Sequence, residues 1–178
     1  RFSPELWIER DDFLEQPVKG FHRLMPGTEV RLRGAGIIRC EEVIKDAAGQ
    51  IIELRCSIDA DSRPGCAGAE RKVKGTIHWV DARTAIAAEV RLYDRLFNVA
   101  DPDDDSDGKT YRDHLNQESR RVIQAWLEAD LAEAGAESTW QFERLGYFVA
   151  DRHDHSSAQP VFNRVVTLRD NWTKAAGQ

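Results

Sequence analysis

The sequence has few of the residues that mark disulfide-stapled, metal-binding or membrane-spanning proteins. Its 178 residues include three cysteines, Cys40, Cys56 and Cys66, which are widely spaced and form no Cys-x-x-Cys motif. This odd number predicts neither a disulfide framework nor a zinc site. No apolar run approaches the roughly 20 residues that span a bilayer, and the opening residues do not resemble a targeting leader. We therefore expect a cytoplasmic protein that does not bind membranes.

Catalytic signatures are also scarce. The chain has no phosphate-binding loop of the P-loop type, and "RGAG" (33–36) lacks the spacing of a dinucleotide fingerprint. Ser119, Ser156 and Ser157 lie in no nucleophile-elbow context. In "DRHDHSS" (151–157) two histidines, His153 and His155, alternate with aspartates. These side chains could bind a metal, but the polar surroundings favour a solvated loop. A small hydrolase built on them is kept as an alternative.

The charge of the chain is unevenly distributed. The formal net charge of -6 argues against a nucleic-acid partner, because phosphate binding is driven by cationic surface. Residues 19–39, however, carry five lysine and arginine residues and His22 against a single acid, Glu29. The acidic excess lies elsewhere, notably in "DPDDDSDG" (101–108). Such separation is compatible with one RNA-facing side.

Most of the chain shows the alternation of apolar and polar residues that predicts strands. Short strands separated by turns rich in glycine and proline favour an all-β barrel or sandwich. The segments are "TEVRLRGAGIIRCEEVIKD" (28–46), "IIELRCSID" (51–59), "RKVKGTIHWV" (71–80), "AIAAEVRLYDRLF" (85–97), "WQFERLGYFVAD" (140–151) and "PVFNRVVTLRD" (160–170). Pro26-Gly27 predicts a turn directly before the first of these segments, and "DAAGQ" (46–50) predicts a hairpin turn between the first two. Apolar spacing near three and four predicts one minor helical segment at 115–135.

In "TEVRLRG" (28–34) the alternation places Val30 and Leu32 on one strand face and Arg31 and Arg33 on the other. The pattern alone is compatible with a solvated face, with ion pairs to nearby acids, or with binding. "RKVKG" (71–75) leaves a similar choice between a contact with RNA backbone and an exposed basic strand.

Five strings in order resemble one known family. They are "EVRLRGAGIIRCEEVIKDAAGQI", "RKVKGTIHWVDA", "EVRLYDRLFNV", "QFERLGYFVAD" and "PVFNRVVTLRDNW". Together they closely resemble the C-terminal anticodon-binding region of bacterial glutaminyl-tRNA synthetases. The resemblance extends from "PELWIERDDF" to "LRDNW", and residues 111–140 depart most from the family pattern.

The resemblance implies two β-barrels of the ribosomal-protein-L25-like kind. The expected proximal barrel is discontinuous, with residues 1–18 and 100–178, and the expected distal barrel comprises residues 19–99. Because the chain opens at Arg1 and lacks the family's HIGH-like and KMSKS-like motifs, we expect a fragment without the N-terminal catalytic domain. That domain, a partner of this region in the family, would use ATP and Mg²⁺; the fragment itself should be a non-catalytic, cofactor-free monomer that binds the anticodon loop of tRNA(Gln).

The resemblance also implies which residues contact the anticodon. In this sequence they are His22, Arg23, Arg31, Arg33, Gln141 and Arg144. Arginine can hydrogen-bond base edges, stack on bases and neutralise phosphate, and the glutamine amide offers both a donor and an acceptor. Two further interpretations stay open: the anticodon-binding region of a glutamyl enzyme of archaeal or eukaryotic type, and an L25-like protein that binds ribosomal RNA.

Overall fold

The computed structural model describes residues 2–104, 106 and 108–168. Within these residues the chain forms eleven strands and three short 3₁₀ helices. The strands are Leu6–Ile8 (β1), Glu29–Leu32 (β2), Ile37–Lys45 (β3), Ile51–Asp59 (β4), Thr76–Ile77 (β5), Trp79–Asp81 (β6), Ile86–Tyr93 (β7), Arg120–Leu127 (β8), Thr139–Phe142 (β9), Gly146–Ala150 (β10) and Val161–Val166 (β11). The 3₁₀ helices are Arg10–Asp12, Ala60–Ser62 and Ala129–Glu133. The predicted all-β class is confirmed.

The strands form two compact units, Arg1–Arg83 and Thr84–Gln178. The first unit contains a four-stranded sheet in the order β4-β3-β2-β5 and a ribbon of β1 and β6. The second contains a five-stranded sheet in the order β8-β7-β11-β10-β9. In the described part of the chain each sheet is open, so the two L25-like barrels stay a prediction.

The units divide the chain at a different place from the predicted domains. In the first unit β1 pairs with β6, Leu6 opposite Asp81, so the opening residues associate with the end of the same unit. In the second unit β7 pairs with β8 and β11, although the sequence grouped residues 86–93 with the distal domain. The compact units meet at Arg83/Thr84, and the division into domains with boundaries at 18 and 99 stays a prediction. Arg1 and residues 169–178 of the predicted proximal domain lie outside the described residues.

The predicted hairpin of the first unit is confirmed. β3 and β4 pair antiparallel, with Cys40 opposite Cys56. In the turn the Asp46 carboxylate accepts hydrogen bonds from the amides of Ala48 and Gln50, and Gly49 has a φ of 80°. Aspartate and a left-handed glycine are the residues that such turns require. The three cysteines are free thiols.

The predicted helix at 115–135 is wrong. Its centre is the edge strand β8, which pairs with β7 from Arg120, opposite Tyr93, to Leu127, opposite Ile86. The helical spacing arose because apolar residues lie on both faces of this strand: Val122, Ile123 and Trp126 are all exposed. β-branched side chains and cross-strand pairing outweighed the local pattern. The only helical turn within it is the 3₁₀ helix Ala129–Glu133.

Each unit has its own apolar core. The first is built from Phe13, Leu24, Val30, Leu32, Ile38, Cys40 and Ile77. The second is built from Ala88, Val90, Leu127, Leu131, Phe148, Ala150 and Phe162. Among the described residues, no helix has the length and apolar character needed to cross a membrane.

Candidate nucleic-acid interface

The six predicted contact residues are divided between the two units. The first unit contains His22, Arg23, Arg31 and Arg33, and the second contains Gln141 and Arg144. Within the first unit, His22 and Arg23 line one cleft beside β2. Arg31 lies on β2 itself and Arg33 directly after it. Gln141 and Arg144 lie in a single hairpin.

β2 confirms the alternation of "TEVRLRG". Val30 and Leu32 are fully buried in the core, and Arg31, between them, lies on the other face with a half-buried side chain. The strand pairs antiparallel with β3 and parallel with β5. Pairing on both edges fixes the position of Arg31 in the middle of the sheet.

The Arg31 guanidinium binds main-chain oxygens of its own unit. Its Nη1 donates to the carbonyl of Ser62 at 3.1 Å, and its Nη2 donates to the carbonyls of Ala69 at 2.9 Å and Arg71 at 2.7 Å. These three residues belong to the segment that connects β4 to β5. Arg31 therefore holds that connecting segment against the sheet, and its expected contact with a nucleotide stays a prediction.

Arg33 has a fixed backbone and an exposed side chain. Its amide donates to the carbonyl of Ile77 at 3.0 Å, and its carbonyl accepts a hydrogen bond from the Trp79 indole at 2.9 Å. Its residue surface is exposed. The two arginines of "VRLR" thus have different surroundings, which the strand alternation could not distinguish.

An open cleft of about 270 Å³ lies beside β2. It is lined by residues from three stretches of chain: Phe21, His22, Arg23, Met25, Thr28, Glu29, Val73, Lys74 and Gly75. The lining combines apolar walls with cationic side chains. A single-stranded nucleotide needs both, because its base is apolar on its faces and its phosphate is anionic.

Residues 21–29 form the first wall of the cleft. This wall is anchored through Arg23. Its Nε lies 3.1 Å from a carboxylate oxygen of the buried Asp12, and its Nη1 donates to the carbonyl of Asp11 at 3.0 Å. Its guanidinium carbon lies 6.0 Å from the centre of the Phe21 ring. Arg23 therefore positions the wall as well as contributing charge to it.

The turn from Met25 to Thr28 forms the end of this wall. Gly27, after Pro26, has a φ of 70°, as expected at the third position of a type II turn with proline before it. The Thr28 amide and hydroxyl both donate to the Met25 carbonyl at 3.0 Å. The predicted Pro-Gly turn is confirmed.

Residues 73–75 form the second wall of the cleft. Within it, Gly75 lies against the backbone of the first wall. A Cβ at this position would lie 1.9 Å from the carbonyl oxygen of His22. The carbonyl of Gly75 accepts a hydrogen bond from the Arg31 amide at 2.9 Å. The two walls are therefore close at this point because residue 75 has no side chain.

Glu29, the acidic residue that lines the cleft, forms an ion pair with Arg71. Arg71 donates from Nη1 and Nη2 to the two carboxylate oxygens of Glu29 at 2.7 and 3.3 Å, and from Nη2 to Asp59 at 2.9 Å. Hydrogen bonds from Arg71 hold the pKa of both carboxyl groups below their ordinary values. Glu29 thus stays ionised, with its charge offset by Arg71 and, more weakly, by Arg39.

The other two predicted residues lie in the hairpin of β9 and β10. Gln141 is exposed and opposite Tyr147, which is 40% exposed. Phe142 stacks on Phe148 with 4.2 Å between ring centres, which anchors the hairpin on the core. Arg144 occupies the turn with a φ of 63°, a conformation that is uncommon for residues other than glycine.

The alternative metal site is not assembled. His155 is used structurally: its Nδ1 accepts from the Val161 amide at 3.1 Å, and its Nε2 lies 2.9 Å from the Ala134 carbonyl, to which it donates in this tautomer. His153, two residues earlier in the same loop, is exposed. No three His, Cys, Asp or Glu side chains in the described ranges are arranged to hold a metal ion.

Asp151 organises that loop. Its carboxylate accepts hydrogen bonds from the amides of Asp154 and His153 and from the side chain of Asn163, and it lies 3.3 Å from Arg91. These hydrogen bonds, led by the one from the Asp154 amide and assisted by the charge of Arg91, lower the pKa of Asp151 to about 2. The loop is therefore a structural feature of the second unit.

We expect Asp151→Asn to destabilise the second unit by about 2 kcal/mol at pH 7. The folded-state pKa of about 2 lies below that of an unfolded aspartate, about 3.9. The stabilisation is therefore complete above about pH 5 and is lost as the pH falls through about 2. Urea unfolding of wild type and variant should give curves that separate at pH 7 and converge towards pH 2. Asp154→Asn, at a carboxylate that is 54% exposed, is the control with a smaller effect; a pH-independent gap would contradict the linkage.

Two cleft residues were missed by the sequence-based assignment, Phe21 and Lys74. Phe21 is adjacent to the predicted pair His22 and Arg23, so proximity could have indicated it. Lys74 belongs to "RKVKG", for which the sequence left two interpretations open. Its approach to His22 depends on pairing of β5 with β2, which no local pattern encodes.

Two family models match the chain. Both are described as the anticodon-binding domain of class I (E and Q) tRNA synthetases, and they match residues 1–59 and 76–151. Together they account for about three quarters of the chain and for all six predicted contact residues.

Similar curated proteins are named glutamine–tRNA ligase. The chain is 64% identical over 173 residues to the protein of Xanthomonas campestris pv. campestris (strain 8004) and 65% identical over 173 residues to that of Xylella fastidiosa (strain 9a5c). Each match covers 97% of the chain but 30% of the relative. The chain thus spans under a third of the length of these relatives.

Proposed function

The chain belongs to the family of class I (E and Q) tRNA synthetase anticodon-binding domains, and we propose that it recognises the anticodon loop of tRNA(Gln). The identity of 64% across nearly the whole chain to proteins named glutamine–tRNA ligase carries this proposal. The cationic and apolar cleft beside β2 supports it, because unstacked anticodon bases need stacking surfaces and hydrogen-bond donors.

The predicted contact residues have surroundings that suit readout to different degrees. Arg33 and Gln141 are exposed, so their side chains can reach a base edge. Arg23 and Arg31 already bind groups within the unit, so they act first by positioning the surface around them. His22 is exposed at the cleft and can donate or accept at a base edge.

The activity proposed for the complete protein is the attachment of glutamine to tRNA(Gln). ATP and Mg²⁺ would then be bound by a catalytic domain, and the residues described here are assigned to neither. The catalytic domain would be the intramolecular partner of this region. A monomeric state and a cytoplasmic location complete the proposal.

Anticodon selectivity tests the proposal. The 178-residue chain should bind tRNA carrying a CUG or UUG anticodon more tightly than tRNA with an unrelated anticodon, and binding should weaken steeply with salt. Gln141→Ala should cost about 1 to 3 kcal/mol of binding free energy. Gln124→Ala, at an exposed glutamine on β8, is the matched control and should leave affinity unchanged.

Equal affinity for all anticodons would contradict the proposal. Preferential capture of 5S rRNA over tRNA would support the L25-like interpretation in its place. Selectivity for anticodons of tRNA(Glu) would assign the chain to the glutamyl branch of the same family.

A further inference from the structure

The charges around the cleft are not equally available. The Arg23 guanidinium is paired with Asp12, and the Glu29 carboxylate is paired with Arg71. In the part of the chain that the structure describes, no carboxylate pairs with the exposed Lys74. Lys74 therefore contributes a positive charge to the cleft and forms no ion pair with an acidic group of the described chain.

The walls around Lys74 are suited to a flat apolar group. Phe21, Met25 and Val73 are half-buried and line the same cleft. An aromatic ring beside a cation is the arrangement that binds a nucleotide, because the ring stacks on the base and the cation meets the phosphate. The cleft is open and has a volume of about 270 Å³.

Lys74 is attached to a rigid part of the unit. The next residue, Gly75, lies against the His22 carbonyl and accepts a hydrogen bond from the Arg31 amide at 2.9 Å. β5 begins directly after it and pairs with β2. A cation on a fixed backbone loses less conformational freedom on binding than one on a mobile loop.

We propose that Lys74 and Phe21 bind one nucleotide of the anticodon loop in this cleft, with Lys74 on its phosphate and the Phe21 ring against its base. This inference rests on the proposed function and adds two contact residues to it. Lys74 supplies affinity and register, since phosphate contacts carry no base identity. Phe21 supplies a stacking surface that tolerates different bases.

The salt dependence of binding tests the role of Lys74. Lys74→Met should lower the affinity of the 178-residue chain for tRNA(Gln) about 5- to 30-fold at 0.1 M salt, and should reduce the slope of log K against log salt by about 1. Lys72→Met is the matched control, since Lys72 is exposed two residues earlier and does not line the cleft. Its affinity should stay within about twofold of wild type.

The stacking contact has a different signature. Phe21→Leu should weaken binding about 5- to 100-fold with an unchanged salt slope, because stacking releases no counterions. Phe21→Tyr keeps the ring and should bind nearly as tightly as wild type. Unchanged urea unfolding of both variants separates loss of stacking from loss of the fold.

An uncharged backbone linkage identifies the phosphate. In anticodon stem-loops with one methylphosphonate at each loop position in turn, one position should weaken binding by wild type but not by Lys74→Met. If wild type shows no anticodon selectivity, the proposed function fails. If wild type is selective but Lys74→Met matches Lys72→Met in affinity and slope, or no methylphosphonate position distinguishes wild type from Lys74→Met, this inference alone is overturned.

Discussion

Gly75→Ala is expected to destabilise the first unit by at least about 3 kcal/mol and to abolish selective binding of tRNA. The added Cβ would lie 1.9 Å from the His22 carbonyl oxygen and 2.9 Å from the His22 carbonyl carbon. Both atoms belong to the backbone, so rotation of a side chain cannot relieve the overlap. One of the two walls of the cleft must move.

Neither wall can move without breaking contacts. Gly75 is held by the hydrogen bond from the Arg31 amide and by the start of β5. The His22 segment is held by the Leu24 amide, which donates to the Asp12 carbonyl at 3.0 Å, and by the ion pair of Arg23. The cost therefore exceeds that of an ordinary overpacked side chain.

Urea unfolding and tRNA binding measure the two effects together. Gly135→Ala is the matched control, because no heavy atom lies within 4 Å of its added Cβ. This control should change stability by less than about 1 kcal/mol. A Gly75→Ala protein with the unfolding midpoint of wild type would show that the two walls separate easily.

The close approach of Gly75 to His22 also shows where sequence reasoning stops. Short-period patterns predicted β2, the β3–β4 hairpin and the Pro26-Gly27 turn, because each depends on residues that are neighbours in the chain. The contact between residues 22 and 75 depends on the parallel pairing of β2 with β5. Parallel pairs need a crossover connection, and the connecting residues 60–70 gave no period that predicts it.

The helix predicted at 115–135 was wrong because an edge strand can carry apolar residues on both faces. Val122 and Trp126 lie on the face opposite to that of Leu127. Apolar residues on both faces mask the two-residue alternation of a strand and leave a spacing near four residues, which resembles that of a helix. Long-range pairing is likewise hidden from local patterns: the pairing of β7 with β11 joins residues about 70 positions apart. Family resemblance supplied the predicted contact residues, but not which of them also stabilise the fold.

Arg31→Met is expected to destabilise the first unit by about 3 kcal/mol, the second large effect. The variant removes the hydrogen-bond donors for the carbonyls of Ser62, Ala69 and Arg71. Hydrogen bonds from a charged group contribute about 1.5 to 3 kcal/mol each, and partial exposure here lowers the total. Methionine keeps most of the apolar stem, so lost packing contributes little.

Arg33→Met is the matched control for stability, because the same substitution is made two residues away at an exposed side chain. Its free energy of unfolding should fall by less than that of Arg31→Met, while tRNA binding should weaken by about 1 to 3 kcal/mol. Limited proteolysis provides a second readout: cleavage within residues 60–75 should accelerate for Arg31→Met and not for Arg33→Met.

These two variants separate the role of Arg31, on β2, from that of Arg33, directly after it. If Arg31 acts mainly by holding residues 60–75, its loss weakens tRNA binding indirectly, because Lys74 and Gly75 at the end of that segment are displaced from the cleft. The losses for Arg31→Met and Lys74→Met should then be less than additive, since both act on the same wall. Full additivity, together with wild-type stability of Arg31→Met, would mean that Arg31 contacts RNA directly and that its three carbonyl partners can be hydrated at little cost.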